Sequence, residues 1–294
     1  MYNYYMIGYF SYYTAATMWN IPNIDTILND KVKETDSIDI SVSKRVDRFR
    51  TNGKIAHSCE IPLPAGAVKT QDGKKVASPE LLFLELAFKL DIHRLILLGL
   101  QLCAHPPGVP AAAITTKQKL TTFLSRAAWH RGHRKAIRAV KYIENGSASI
   151  MESLSYMVLA LPYALGGYGL NGVAFNYEII LKDDAQAQLG QYRCFADLYY
   201  KQAKVAVEYD SFAFHNTPLE QGKDTMRSSI LERQGLDVMH LSTIQLYNKD
   251  ACKDFAYNLA ARIGKRIQIR TSKFDEMHAH IRGLLPHEKP TPSP

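Results

Sequence analysis

Asp197, Glu208, Asp210 and His215 fall within one short stretch, FADLYYKQAKVAVEYDSFAFHNT (195–217). Carboxylates and an imidazole are the groups that hold a divalent cation among oxygens and take a proton from a water beside it. Acids brought close together repel, so either one keeps its proton or a cation sits among them. Mg2+ or Mn2+ at such a place polarises a phosphoryl oxygen and lowers the pKa of a bound water. His215, close after Asp210 in the chain, is then placed to act as general base. The same residues also suit a plainer arrangement. Glu208 and Asp210 would line the wet face of an edge strand, with Asp197 in a turn and His215 on the surface.

Positioning these groups requires a strand pair. Val205 to Asp210 alternates with the strand period of two, placing Val205, Val207 and Tyr209 on one face and Ala206, Glu208 and Asp210 on the other. An antiparallel partner over Tyr192 to Tyr199, turning at Lys201 to Ala203, brings Asp197 beside the other two acids. Upstream, Ser149 followed by Glu152 at the third helical position is a capping-box pattern that predicts a helix. After the turn LGGYGLNG comes a predicted strand, Val173 to Leu181. Downstream the pattern predicts a helix over Lys223 to Gln234 closed by Gly235, a strand over Leu236 to Leu241, and a helix from Asp250 to Ile263.

The spacing from Asp197 through Asp210 to His215, with Phe212 and Phe214 between, resembles the active-site stretch of the very-short-patch mismatch repair endonucleases. It is still more similar to that of their uncharacterised relatives, whose motif runs Asp, Glu-x-Asp-Gly, His. The wider group is the PD-(D/E)XK, or restriction-endonuclease-like, superfamily, and the resemblance covers roughly the last half of the chain. It implies a core ordered helix, three strands, helix, strand. It also implies a metal, Mg2+ or Mn2+, on Asp197 and Glu208, with Asp210 and His215 orienting or deprotonating the attacking water. Glu152 would match the acidic helix position that many members point at the metal. Arg227, in the pattern Asp-x-x-Arg from Asp224, would touch the phosphate. Read from spacing alone, Arg227 equally suits an ion pair along its helix, and Glu152 a capping carboxylate. Two positions depart from the pattern: Asp210 stands where the superfamily usually has lysine, and Ser211 where the relatives have glycine.

Charge is distributed unevenly. The net charge is +8, and between Ile92 and Ile143 there is no Asp or Glu while Arg94, Lys117, Lys119, Arg126, Arg131, Arg134, Lys135, Arg138 and Lys141 supply the whole excess. The stretch TTFLSRAAWHRGHRKAIRAVKYI reads as two short helices hinged at Gly132, the second carrying Arg134, Lys135, Arg138 and Lys141. Such a patch attracts a polyanion, DNA above all, although an acidic protein partner satisfies the same electrostatics.

The first half has its own pattern. A small helix is predicted before Pro22, and strands in IDISVSK and KIAHSCEIP flank the basic connector RVDRFRTNGK. Ser78-Pro79 then opens a long helix. Ser11, Ala15, Ala16, Trp19 and Pro22, with Ser78, Pro79 and Glu80, resemble the N-terminal region of proteins related to the abortive-infection antitoxins. That likeness implies DNA-binding regulation. Tyr2, Tyr4, Tyr5, Tyr9, Tyr12 and Tyr13 suit base stacking, packing on a neighbouring helix, or a homodimer contact. The most apolar run, LLFLELAFKLDIHRLILLGLQLCA, is broken by Glu85, Lys89, Asp91, His93 and Arg94 and is not expected to span a membrane. Four cysteines without a C-x-x-C pair speak against a zinc ribbon and fit a reducing cytoplasm.

The expected fold class is therefore α+β, with three parts. Residues 1–145 form a basic, mixed helix and strand domain, 146–285 a restriction-endonuclease-like αβββαβ core, and 286–294 a disordered tail. Two functions compete: a metal-dependent DNA endonuclease of repair or of defence against mobile DNA, and a non-catalytic, antitoxin-like regulator on a degenerate nuclease fold.

Overall fold

The computed structural model describes residues 8–28, 37–210 and 218–286. The chain forms two compact units: residues 1–104 with 113–145, and residues 105–112 with 146–294. Each combines helices with a sheet, so the class is α+β. The expected tail lies almost wholly outside the described residues, as do Tyr2, Tyr4 and Tyr5.

In the first unit the order is β1 (Gly8–Phe10), α1 (Tyr12–Met18), α2 (Ile24–Leu28), β2 (Ile38–Val42), β3 (Arg50–Thr51), β4 (Lys54–Ser58), β5 (Val68–Gln71), β6 (Lys74–Ala77), α3 (Pro79–Lys89), α4 (Ile92–Leu102), α5 (Lys117–Arg126) and α6 (His133–Val140). The sheet runs β3-β4-β2-β1-β6-β5. The expected long helix after Ser78 is two helices. Ser78 caps α3 through Leu81 N–H (3.2 Å), and Asp91 caps α4, accepting from His93 and Arg94 N–H (2.9 and 3.0 Å). A residue competing so well for free N–H groups starts a new helix instead of extending the old one. Both helices are buried almost throughout, since they form the core against which α5 and α6 pack.

Gly132 is no hinge. It sits at φ +82°, and a Cβ there would come within 2.7 Å of the Phe88 backbone nitrogen in α3. The glycine is thus a close-packing contact between α6 and α3. Gly132→Ala is expected to cost the first unit about 3 kcal/mol through backbone strain and overpacking. Urea unfolding followed by tryptophan emission checks this, because both tryptophans, Trp19 and Trp129, belong to this unit. An unchanged midpoint would refute the contact.

In the second unit the order is α7 (Ile150–Ala160), β7 (Ala174–Ile180), α8 (Asp183–Leu189), β8 (Arg193–Tyr200), β9 (Val205–Asp210), α9 (Pro218–Arg233), β10 (Asp237–Ser242), α10 (Thr243–Tyr247), α11 (Lys249–Arg262) and α12 (Phe274–Arg282). The sheet runs β10-β9-β8-β7, antiparallel except for the parallel pair of β9 and β10. Helix α7 is apolar on nearly all sides and buried from Glu152 to Ala160, as a central helix must be. Ser149 Oγ accepts from Glu152 N–H (3.1 Å), but the Glu152 carboxylate reaches back to Ala148 N–H (2.8 Å), one residue short of a closed capping box. Among the described residues no helix is long and apolar enough to cross a membrane.

Candidate functional site

The ladder between β8 and β9 runs from Tyr200 opposite Val205 to Leu198 opposite Val207, and there it opens. The next residues on the two strands are Asp197 and Glu208. Past this point the backbone groups of the separating strands find new partners. Tyr209 N–H donates to Asp197 Oδ2 (2.9 Å), and the Phe195 carbonyl accepts from the Arg227 guanidinium of α9. His240 on β10 stands beside Glu208 in the parallel ladder. Asn176, between the ladder pairs Phe175–Leu198 and Tyr177–Ala196, faces Asp197 from β7. Polar residues thus occupy one row across all four strands: Asn176, Asp197, Glu208 and His240.

Two helices close the row. From α7, Glu152 Oε2 accepts from Asn176 Nδ2 (2.7 Å), so the expected metal-directed carboxylate is joined to the first strand of the row. From α9, Arg227 bonds both Glu208 oxygens (3.1 and 3.3 Å), and Ser228 Oγ bonds His240 Nε2 (3.0 Å). His240 Nδ1 also lies 3.1 Å from Asp210 Oδ2. Asp197, Glu208, Asp210, Arg227, Ser228 and His240 line a common pocket of about 130 Å³.

Burial sets the electrostatics. It pushes the Glu208 carboxyl up to about 8, against the pull of Arg227. It pushes Glu152 up to about 7, helped by the charge of Asp197. Asp197 is raised too, by burial, although Tyr209 N–H and Arg227 pull the other way. These acids stabilise the fold only while protonated. The stability they add is complete below 4.5, the ordinary glutamate value, and is lost as pH rises through about 7 and 8. Glu152→Gln, neutral at every pH, is expected to flatten the fall in melting temperature between pH 5.5 and 8.5 by about 5 °C. A thermal melt series decides it, and an unaltered pH slope would mean that Glu152 is not strained.

Among the described residues no three His, Cys, Asp or Glu side chains form a group able to hold a metal ion. Arg227 is the cation that sits among the acids here. The donor set still suits a hard cation, since Glu152, Asp197 and Glu208 offer only carboxylate oxygen. No hydrogen bond to Asp197 Oδ1 is made among the described residues. Asp197 and Glu208, with Glu152 behind them, are the residues that would hold such an ion once Arg227 turned away. No protein-family model, no curated protein and no solved structure matches this chain.

His215, Ser211, Phe212 and Phe214 lie outside the described residues. So does the Asp224 side chain, and the observed partner of Arg227 is Glu208 on the neighbouring strand. His240, Asn176 and Ser228 were missed in the sequence. The available signal was a polar residue inside each strand pattern, AFNYEII and DVMHLS. Of the basic residues in the first unit, Lys135 donates to the Leu90 carbonyl (2.6 Å) and Lys117 pairs with Glu144 (2.8 Å). Arg131, Arg134, Arg138 and Lys141 remain exposed, the last three at helical spacing on one face of α6 and its C-cap.

Proposed function

We propose that the chain is a metal-dependent DNA endonuclease whose reaction, phosphodiester hydrolysis, takes place at the opening between β8 and β9. The observation that carries this reading is the meeting of three acids, buried Glu152 and Glu208 with half-buried Asp197, where a sheet separates. A divalent cation among them would favour their charged forms. The order α7, β7, β8, β9, α9, β10, with α8 inserted, supports a restriction-endonuclease-like core. Mg2+ or Mn2+ bound by Asp197 and Glu208 would polarise the phosphoryl oxygen and acidify a water. Arg227, released from Glu208, is the group to neutralise a phosphate, with its planar fork of donors. His240, its Nδ1 against Asp210, is an imidazole placed to accept a proton, a role also suited to His215. The exposed cations of α6 add a sequence-independent attraction for the DNA backbone.

One observation favours a second reading. The ion pair of Arg227 with Glu208 satisfies the centre of the row without metal, as a regulator that had retired its catalytic site would require. Supercoiled plasmid incubated with Mn2+ or Mg2+, with a chelator control, separates the two. Metal-dependent nicking supports the endonuclease. Salt-sensitive DNA binding without cleavage supports the regulator.

A further inference from the structure

The first unit holds a cavity of about 470 Å³ of its own, unrelated to the acid row. Its size is that of a small-molecule site. Its floor is Glu85 of α3, the glutamate that interrupts the apolar run. Glu85 is buried and held by Tyr9 Oη (3.0 Å), Ser41 Oγ (3.4 Å) and Tyr12 N–H (3.2 Å). Beside it the Tyr12 and His57 rings form an aromatic wall, centroids 4.3 Å apart. His57 is oriented by the buried Asp39, to whose Oδ1 its Nε2–H donates at 2.6 Å. The mouth is cationic. Arg45 and Arg48 come from the basic connector, Lys89 from the end of α3, and Arg131 from the turn before α6. All four are exposed, and none makes an ion pair among the described residues. Glu60, an acid at the mouth, accepts from Arg45 backbone N–H (3.0 Å). Phe88 lines the cavity too, and exposed Val46, Phe49 and Trp129 are close neighbours of these cations in the chain.

Lys89 lies over the Tyr12 ring (5.8 Å) and Arg131 over the Phe88 ring (5.6 Å). A carboxyl at the floor, aromatic rings on the wall and, at the mouth, four cations without an ion pair among the described residues ask for a ligand with three matching parts. These are an N–H edge, a flat ring and an anionic tail. We propose that this cavity binds a nucleoside phosphate, its base directed to Glu85 and His57 and its phosphate to Arg45, Arg48, Lys89 and Arg131. A carboxylate accepts from the exocyclic amine of a base, and cations alternating with aromatic rings are the recurring surface for a nucleotide chain. The ligand is either a free nucleotide or one nucleotide of a single strand. Binding is the whole of the proposal. Cys59 Sγ lies 3.6 Å from His130 Nδ1, but burial and the nearby Glu85 raise the thiol, which keeps it from acting as a nucleophile.

The test is a titration of the full chain in EDTA, followed by the emission of the tryptophans. The probes are the four nucleoside 5′-monophosphates and homopolymer deoxy-decamers, with wild type, Arg45→Ala/Arg48→Ala and Glu85→Gln. Saturable binding of a monophosphate, weakened at least tenfold by the arginine pair substitution, establishes a free nucleotide as ligand. Binding of decamers alone establishes a strand, and the double substitution then lowers the slope of log K against log salt by about 1.4. In either case Glu85→Gln is expected to reduce the difference between bases. No binding of any probe at millimolar concentration, or binding indifferent to the arginines, overturns the proposal. Repeating the titration with Asp197→Asn keeps the outcome separate from the nuclease reading, because that substitution leaves the first unit intact.

Discussion

Asp197→Asn is expected to lower metal-dependent plasmid nicking at least about a hundredfold while leaving the second unit folded. The substituted amide keeps an oxygen to accept from Tyr209 N–H, so the opening between β8 and β9 retains its shape. Only the charge is lost, and with it the attraction for a divalent ion. Outer groups around a metal already cost ten- to a hundredfold when removed, and a direct ligand costs more. Gel densitometry of open-circle product over time measures the effect, with circular dichroism as the check on folding. Nicking at the wild-type rate in Asp197→Asn would end the endonuclease reading for this site.

Arg227→Ala carries the largest expected change in stability. The guanidinium bonds both oxygens of Glu208 and the Phe195 carbonyl. Its removal leaves a buried carboxyl and a strand-end carbonyl without their donor. Each buried acceptor left unpaired costs about 1–3 kcal/mol, so the loss is about 3 kcal/mol or more. Burial holds the Glu208 carboxyl up to about 8, so below that value the lost hydrogen bonds, and not a lost ion pair, set the cost. Peptides covering β8 and β9 are therefore expected to exchange backbone hydrogen about a hundredfold faster in the variant at pH 5.5 and at pH 7 alike. Acceleration confined to the higher pH would show that the charge on Glu208, and not the lost bonds, accounts for the effect.

What could be read from the sequence was local. The strand pair over residues 193–210 followed from the alternation around Glu208 and the short turn at Lys201, and with it the neighbourhood of Asp197 and Glu208. Ser149, Ser78 and Gly235 marked helix ends that the structure contains. What could not be read depends on residues far apart in the chain. His240 joins the row only because β10 lies parallel to β9, a register that no short turn enforces. Arg227 was weighed against Asp224 within its own helix, whereas its partner Glu208 is reached across the sheet. Glu85 looked like a charge breaking a greasy run. It is buried because Tyr9, Ser41 and the Tyr12 backbone, all distant in sequence, supply its hydrogen bonds. The segment 105–112 gave no sign that it belongs with residues beyond 145. Its place there rests on single tertiary contacts, such as His105 N–H on the Ser147 carbonyl (3.2 Å) and Gly108 against Phe195.

That segment bears on how such a protein is assembled and exchanged between genes. The chain leaves the first unit after Ala104, returns at Ala113 and leaves again after Asn145. A ribosome releases residues 105–112 well before the sheet they join exists, so the second unit closes only when a piece of early chain meets late chain. A recombination event that carried away residues 146–294 alone would leave that piece behind. Shuffling one unit whole would require cuts at all three junctions.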